Sequence, residues 1–305
     1  MLEHFSRYNY KLIGAVVVIA FVIINFYTFY KPRKNSLEMD TQDVFEFFNT
    51  ADGLDITWYH RANNVQRLEE ALKDDKIKMI EADVIFGKLT PADKDLRPVM
   101  GHGKDDKIDL TVTDFVDSVR TQSKKKGIKL DFKDIEAVKP TLEYLDSKKE
   151  EIDFPVWLNA DTVLGPGGLK QQVDGKKFID LANNHFPRAT LSLGFTYQSP
   201  SNTPLTQKMV KDMYELTSHS NSPVTFAINV AMFANSLSAV SWLLHQEPER
   251  FSLTLWTSMA GKNWEGASPE AICKVRSQLS KKVIFYDLAV HNDTWQKFLK
   301  LCKKV

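Results

Sequence analysis

The chain has little cysteine and almost no net charge, and both deficits narrow the classes of protein to which it can belong. Cys273 and Cys302 are its only cysteines, and their spacing matches neither a metal-ligand motif nor a redox motif. They could bond to each other or lie reduced in helices, and because buried free cysteine is common we expect the reduced state. Forty basic residues against 39 acidic residues leave a formal charge of +1. This balance gives no electrostatic footprint for nucleic acid, so no nucleic-acid partner is expected.

Charged residues are missing from one long stretch near the N-terminus, residues 12–30, which is about long enough to cross a bilayer as a helix. A small-residue cleavage site is absent and the stretch exceeds the usual core of a signal peptide, so we expect an uncleaved anchor. The alternatives are a cleaved signal and a buried core helix. Basic residues follow at Lys31, Arg33 and Lys34, and their charge favours a cytoplasmic C-terminal domain. Asn292, in the sequence Asn292-Asp293-Thr294, is a candidate glycosylation acceptor and favours the lumenal side instead.

The remainder of the chain alternates between apolar runs and amphipathic stretches. Eight apolar, β-branched runs occur at residues 56–60, 79–86, 128–132, 156–160, 189–195, 224–229, 251–256 and 283–288. Amphipathic stretches follow them at residues 65–73, 113–125, 135–148, 168–185, 205–218, 232–245, 269–279 and 295–303. This alternation predicts an α/β fold, a TIM-type (β/α)8 barrel with a closed sheet in which strand 79–86 has only parallel neighbours. The predicted divisions are residues 1–34 for the tail and transmembrane anchor, 35–50 for a tether and short helix, and 51–305 for the barrel.

Polar side chains interrupt the apolar runs at positions that a barrel brings together. Glu81 and Asp83 lie two apart in the second run and therefore project from the same strand face. Burying two like charges side by side is costly unless a cation or a proton lies between them. Active sites of such barrels lie at the carboxyl ends of the strands. Further polar residues fall at those ends or in the insertion 87–109, namely His60, His102, Asp131, Lys133, Asn159, Asp161 and Trp256. The combination predicts a site for a phosphate group and a divalent metal.

Longer motifs in the same runs resemble the menorin family. They are Trp58-Tyr59-His60, Ile80-Glu81-Ala82-Asp83-Val84, Pro98-Val99-Met100-Gly101-His102, Lys129-Leu130-Asp131-Phe132-Lys133 and Trp157-Leu158-Asn159-Ala160-Asp161. The resemblance covers roughly residues 53–288 and continues to Phe285-Tyr286-Asp287-Leu288 in the last strand. The family is in turn similar to the glycerophosphodiester phosphodiesterases and the wider phospholipase-C-like barrels. This chain differs from those enzymes in reading His60-Arg61-Ala62 where they have His-Arg-Gly, and Asp131 where they usually have Glu.

The resemblance implies a metal-dependent phosphodiesterase site. It assigns acid–base catalysis to His60 and His102 and stabilisation of phosphoryl charge to Lys133. The implied metal ligands are Glu81, Asp83 and Asp131, whose hard oxygens suit Mg²⁺ or Ca²⁺. Substrate contacts are expected from four further residues: Arg61, Asn159, Asp161 and Trp256.

Two functions follow as expectations from these residues and this resemblance. The first is a membrane-anchored phosphodiesterase, a hydrolase whose small-molecule partner is a glycerophosphodiester or a phospholipid-type ester. The alternative is a non-catalytic recognition or adhesion protein that has kept the barrel. Relatives in the family are membrane-linked or secreted and act in cell–cell recognition. The resemblance therefore implies cell-surface protein partners, and it places the barrel on the extracellular or lumenal side, against the charge count.

Overall fold

Eight short strands lie side by side, all parallel, in an order that follows the chain. They are β1 (Trp58–Tyr59), β2 (Met79–Gly87), β4 (Gly127–Phe132), β5 (Val156–Leu164), β6 (Thr190–Thr196), β7 (Val224–Asn229), β8 (Phe251–Trp256) and β9 (Ile284–Asp287). All eight predicted runs are confirmed as strands, two of them (224–229 and 251–256) with the predicted ends and six with shifted ends. Their side chains are almost entirely buried on both faces, which is why the sequence reads as near-continuous apolar runs. The sheet curls into a near-closed barrel of the TIM type.

The chain is described by a computed structural model over residues 43–90, 92–103, 107–198, 203–257, 268–288 and 292–303. The predicted anchor at residues 12–30 and the tether up to residue 42 lie outside the described residues. No helix in the described ranges is both long and apolar enough to cross a membrane. The anchor and the proposed domain divisions therefore stay predictions.

Two details of the predicted sheet are wrong. The insertion after β2 contains a further strand, β3 (Arg97–Met100), which pairs antiparallel with β2 from Val84↔Met100 to Gly87↔Arg97. The end of β2 runs past the other strands and needs a partner for its backbone, and Pro98 suits the edge position that β3 occupies. Complete closure is also not reached, because among the described residues β1 and β9 touch without forming a ladder of hydrogen bonds.

Helices connect the strands and cover the outside of the barrel. They are α1 (Val44–Phe47), α2 (Val65–Lys73), α3 (Val112–Arg120), α4 (Ile135–Ser147), α5 (Gly175–His185), α6 (Gln207–Thr217), α7 (Val230–Ala234), α8 (Leu237–Leu244), α9 (Pro269–Arg276) and α10 (Asn292–Cys302). Side-chain oxygens of Asn64, Thr111, Asp174 and Thr206 accept backbone N–H groups at four helix starts. The caps at Asp174 and Thr206 explain why α5 and α6 begin at residues 175 and 207, later than the predicted 168 and 205.

Aromatic residues plug the end of the barrel where the strands begin. Phe45, on the short helix α1, stacks on Phe285 with ring centroids 5.1 Å apart, and Trp157 meets Phe285 at 4.9 Å. Ile56 and Met79 complete this cluster, and both are fully buried. Because apolar side chains fill this end of the barrel, the polar residues are confined to the opposite end, where the strands finish.

The two cysteines form a disulfide, so the expectation of reduced thiols is wrong. Cys273 on α9 and Cys302 on α10 have Cα atoms 5.0 Å apart, although 29 positions separate them in the chain. The two helices pack against each other on the outside of the barrel. Sequence spacing carries no information about such a pairing, because it depends on how the last two helices meet.

Candidate active site

Strand register aligns the charged residues of β2, β4 and β5 inside the barrel. Glu81 on β2 lies beside Lys129 on β4, and Asp83 lies beside Asp131. Asp131 in turn lies beside Asn159 on β5. Because alternate residues of a strand share a face, the charges form two layers, one deeper in the barrel and one at its mouth.

The deeper layer joins His60, Glu81, Lys129 and Asp287. His60 Nδ1 lies 3.1 Å from Asp287 Oδ1 and 3.3 Å from Glu81 Oε2. Lys129 Nζ donates to the other oxygen of Asp287 at 2.6 Å and lies over the ring of Trp58, 5.2 Å from its centroid. These contacts also bridge the seam between the first and last strands, where the backbone ladder is missing.

Electrostatics in this layer favour a protonated His60. Burial opposes the imidazolium, but the carboxylates of Glu81 and Asp287 outweigh burial and raise the pKa of His60 to about 9. For Glu81 burial dominates, and its pKa rises to about 7 although His60 lies beside it. Asp287 is buried too, yet Lys129 and His60 hold its pKa well below the usual range. In this layer the Lys129 ammonium and the His60 imidazolium therefore pair with the buried carboxyl groups of Asp287 and Glu81.

The layer at the mouth is centred on Lys133, which follows β4. Its Nζ lies 2.6 Å from Asp131 Oδ2 and 3.1 Å from Asp83 Oδ1. Asn63 Nδ2 donates to Asp83 Oδ2 at 2.8 Å, and His102 Nδ1 lies 3.3 Å from the same oxygen. Asn159 Nδ2 donates to Asp131 at 2.7 Å. The charge of Lys133 thus lies between the two carboxylates of neighbouring strands.

These contacts shift the pKa values of Asp83 and Lys133 in opposite directions. Burial alone would raise the pKa of Asp83, but Lys133, His102 and Asn63 together hold that pKa far below its usual range. Burial would lower the pKa of Lys133, but Asp131 and Asp83 raise that pKa well above its usual value. Asp83 therefore stays ionised and Lys133 stays protonated across the neutral range.

Arg61 adopts a backbone conformation that is uncommon for a side chain of its size. Its φ of 59° lies in the left-handed region, which glycine tolerates best. This geometry aims the Arg61 N–H at Glu81 Oε2, at 2.6 Å, while Nε lies 3.3 Å from Asp83. Arg67 holds the turn by donating to the carbonyls of His60 and Arg61. Strain of this kind is concentrated at functional sites, where surrounding contacts maintain it.

The far wall of the site is acidic and aromatic. Burial raises the pKa of Asp161 to about 7, although Lys133 opposes that rise. Space for the Asp161 carboxylate exists because residue 194 is glycine, since a Cβ there would meet Asp161 Oδ1 at 2.1 Å. Tyr197 and Trp256 stand with ring centroids 6.0 Å apart. A cavity of about 350 Å³ opens among these residues, and its lining also includes His60, Arg61, His102, Lys133, Asn159 and Gln172.

The three predicted metal ligands lie close enough together to share one divalent cation. Glu81, Asp83 and Asp131 each offer one oxygen, and these oxygens lie within 4.8 Å of one another. Ligands at about 2.0–2.6 Å from a shared ion have such separations, and carboxylate oxygens suit Mg²⁺ or Ca²⁺. The residues therefore fit the ion, although Lys133 engages two of the same carboxylates. An ion and the Lys133 ammonium would compete for Asp83 and Asp131.

The structure brings together every predicted catalytic, metal and substrate residue, and it adds three residues to which the sequence assigned no role. The additions are Lys129, Asp287 and Asn63. Lys129 alternates with Asp131 and Lys133, so the strand period pointed to it. Asp287 closes the last strand, where barrel sites collect polar groups, but its partners lie 158 and 227 positions away. Asn292, the predicted glycosylation site, begins α10, and its side chain lies outside the described residues.

Comparisons with known proteins give one family and several relatives. Residues 52–292 match the family described as the Menorin N-terminal domain. Human protein FAM151B is 36% identical over 259 residues, which cover 81% of this chain and 90% of that protein. Among solved structures, catalytic-site mutants of active domain 2 of a Pyrococcus furiosus chitinase match with a TM-score of 0.45 and 11% identity, over 78% of this chain and 85% of theirs. An L-ribulose 3-epimerase matches with a TM-score of 0.42 and 10% identity, over 80% and 86%.

Proposed function

The chain belongs to the menorin family, and from this premise and the geometry of the mouth we propose that its barrel is a divalent-metal-dependent phosphodiesterase. Its substrate is a glycerophosphodiester or a phospholipid-type ester. One observation supports this most strongly. Two histidines line the same cavity as Lys133, and each is oriented through Nδ1 by a carboxylate, His60 by Asp287 and His102 by Asp83. That is the arrangement that acid–base catalysis at a phosphorus centre needs.

The two histidines take different roles because their surroundings differ. His60, with its pKa raised to about 9, carries a proton at neutral pH and donates it to the leaving alcohol oxygen. Asp287 fixes the ring through Nδ1, so the transferred proton is the one on Nε2. His102 is the more exposed of the two and takes the proton from the attacking hydroxyl or water. Lys133 and Arg61 neutralise charge on the phosphoryl oxygens. When held by Glu81, Asp83 and Asp131, Mg²⁺ or Ca²⁺ supplies Lewis-acid polarisation of a phosphoryl oxygen.

Loss of either histidine should lower the rate steeply. We expect His60→Ala and His102→Ala each to reduce kcat for a glycerophosphodiester by at least about a hundredfold, the usual scale for a positioned acid or base. His219→Ala is the matched control, since His219 is exposed and lies outside the cavity lining. Equal activity of the two site variants and the control would exclude acid–base roles for both histidines.

The metal is tested separately from catalysis. Chelation should lower the unfolding temperature, and Mg²⁺ or Ca²⁺ should restore it by binding the folded state. Asp83→Asn should abolish this response. Lys133→Met should enlarge it, because the ammonium that competes for Asp83 and Asp131 is gone. If no divalent cation shifts the unfolding temperature of the unmodified protein, the ligand assignment is wrong.

A non-catalytic recognition protein remains the second candidate, and one feature of the site favours it. Lys133 already compensates Asp83 and Asp131, so the acidic mouth is stable without an ion. In that case the purified protein hydrolyses no glycerophosphodiester, lysophospholipid or cyclic phosphate in a broad screen. Its partners would then be other cell-surface proteins.

The protein's location belongs to the same proposal. Residues 12–30 anchor the chain in a membrane, and the barrel lies on the extracellular or lumenal side. The disulfide between Cys273 and Cys302 supports this side, because disulfides persist in oxidising compartments and are rare in the cytosol.

A further inference from the structure

The insertion that follows β2 builds a second cavity beside the mouth of the barrel. It has a volume of about 750 Å³, within the range of small-molecule sites. One wall is the end of β2, Ile85 to Gly87, and the other walls come from the segments before and after β3. The proposed reaction uses only His102 and Lys133 from its lining, so the rest of the cavity needs another explanation.

The lining changes from charged to apolar along a single strand face. Glu81, Asp83 and Ile85 alternate along β2, so Ile85 lies on the same face as the two carboxylates and about 7 Å beyond Asp83. Phe86, Leu89, Leu96 and Ile108 add apolar surface to the same cavity. Leu96 is 53% exposed, although it is a large apolar side chain. Apolar side chains that are exposed in the wall of a cavity are unfavourable for water to cover.

The apolar cavity is continuous with the catalytic one. His102, Lys133 and Gln172 line both. A phosphodiester bound at Lys133, as the proposed function requires, would have one substituent in the polar cavity and the other at the entrance to the apolar cavity. Lys88 and Lys107 lie in the apolar cavity's lining and favour a ligand that carries a phosphate. Among the described residues of this lining the one carboxylate is Asp134, which already accepts the backbone N–H of Phe86 at 2.9 Å.

Other apolar side chains lie exposed in loops at the carboxyl ends of the strands. Leu164, which ends β5, is 43% exposed, and Leu169 in the following loop is 86% exposed. Leu169 lines a shallow cavity that also contacts Lys133 and Gln172. Exposed apolar groups around a polar mouth suit a substrate that is delivered from a lipid surface rather than from water.

We propose that the cavity lined by Ile85, Phe86, Leu89, Leu96 and Ile108 binds the acyl or alkyl chain of an amphipathic phosphodiester, and that the substrate is therefore a chain-bearing lipid rather than a deacylated glycerophosphodiester. This inference rests on the proposed function, since it places the phosphate at Lys133. It goes beyond that proposal by dividing the substrate between two cavities, with the polar substituent facing Asp161, Tyr197 and Trp256.

A pair of ligands with one head group separates the chain from the phosphate. Dodecylphosphocholine below its micelle concentration and glycerophosphocholine are titrated calorimetrically into the full-length protein in Mg²⁺. The unmodified protein should bind dodecylphosphocholine at least about tenfold more tightly, because each buried methylene adds affinity. The double variant Leu89→Asn/Leu96→Asn should remove this preference and leave glycerophosphocholine binding unchanged. Lys133→Met should weaken both ligands and keep their ratio.

Leu237→Asn is the matched control, since Leu237 is also exposed but lies outside both cavities. Equal affinity for the two ligands overturns the proposal, and so does an equal loss of preference in the control, which would indicate nonspecific detergent binding. A dimer that dissociates in the Leu89→Asn/Leu96→Asn variant would show that another protein chain covers the cavity, and also overturns it. Chain preference without turnover of lysophosphatidylcholine or glycerophosphocholine supports the chain site and refutes the phosphodiesterase. Turnover of both substrates at equal rates supports the phosphodiesterase and refutes the chain site.

Discussion

Charged residues inside this barrel are stabilised by partners of opposite charge rather than by water. His60 is an example, because its partners change its pKa. Its ring lies against two carboxylates, and its pKa rises from an ordinary 6.5 to about 9. A group whose pKa is raised on folding stabilises the protein fully below its unfolded pKa and loses that effect as the pH rises through the folded pKa. The stabilisation from His60 is therefore complete below about pH 6.5 and disappears by about pH 9.

The pH dependence of unfolding should reveal this contribution. In the presence of a chelator, the free energy of unfolding of the unmodified protein should exceed that of His60→Gln by up to about 3 kcal/mol below pH 6.5. The difference should shrink steadily between pH 6.5 and pH 9. Denaturant titrations at several pH values measure it, with His219→Gln as the control. A difference that grows with pH would mean that His60 is neutral in the folded state.

Asp287 is the residue on which the deeper layer depends. It accepts from Lys129 at 2.6 Å and contacts His60 at 3.1 Å, and it is fully buried. Asp287→Asn leaves the Lys129 ammonium buried without its partner, and we expect a loss of about 3 to 5 kcal/mol in the free energy of unfolding. Removing one partner of the exposed pair Lys208–Asp212, by Asp212→Asn, should change stability little, because water already solvates that pair. Similar losses in both variants would contradict the assignment of Asp287 as a buried partner.

At the residue scale, the two-residue period of a strand predicted part of the site, whereas contacts between residues far apart in the chain could not be predicted. Glu81 and Asp83 could be placed on one face because they lie two apart in one strand. Lys129 and Asp287 could not be paired in the same way, since they are 158 positions apart and their contact depends on the curl of the whole sheet. Asn63 was missed for a related reason, because it reaches Asp83 from a loop with no periodic pattern.

At the scale of helices and strands, too, features set by local sequence were predicted and features set by distant contacts were not. The eight parallel strands follow from runs of apolar residues buried on both faces, which a sequence displays directly. The hairpin of β2 and β3 escaped prediction, because the four residues of β3 begin with an exposed Arg97 and include Pro98. The predicted helix 232–245 is two helices, α7 and α8, separated where Ser236 Oγ donates to the carbonyl of Met232. A side chain that competes for a backbone carbonyl in this way ends a helix without breaking its amphipathic pattern.

The disulfide stabilises the last two helices as a pair. It closes a loop between positions 29 apart, which in the chain-entropy description contributes about 3 to 4 kcal/mol. We expect Cys302→Ser to lower the denaturation midpoint accordingly, and reduction of the unmodified protein to do the same. Both cysteines are buried, so the reductant should act only after partial unfolding. Cys273→Ser/Cys302→Ser treated with reductant is the control and should not respond. Two free thiols in the unreduced protein, counted after denaturation, would contradict this prediction.

At the scale of the whole fold, the described residues form a barrel with an apolar cluster at one end and an ionic network at the other. Alternation of strand and helix predicted this architecture, because each βα unit must bury one strand and one helix face in a repeating order. The ionic layers could not be predicted without the fold, because their ion pairs join groups from four different strands or the loops that follow them. Composition alone, with a formal charge of +1, shows none of this local concentration.

The disulfide and the sequence both bear on the proposed extracellular or lumenal location of the barrel. A bonded Cys273–Cys302 pair favours an oxidising compartment, and Asn292 is a glycosylation acceptor only if the barrel lies on the lumenal or extracellular side. We therefore expect the cell-expressed protein to lose mass on glycosidase treatment, and Asn292→Gln to abolish that shift. Alkylation of unreduced extracts should label neither cysteine. A protein without glycan whose two thiols are both labelled would place the barrel in the cytosol, as the basic residues after position 30 suggest.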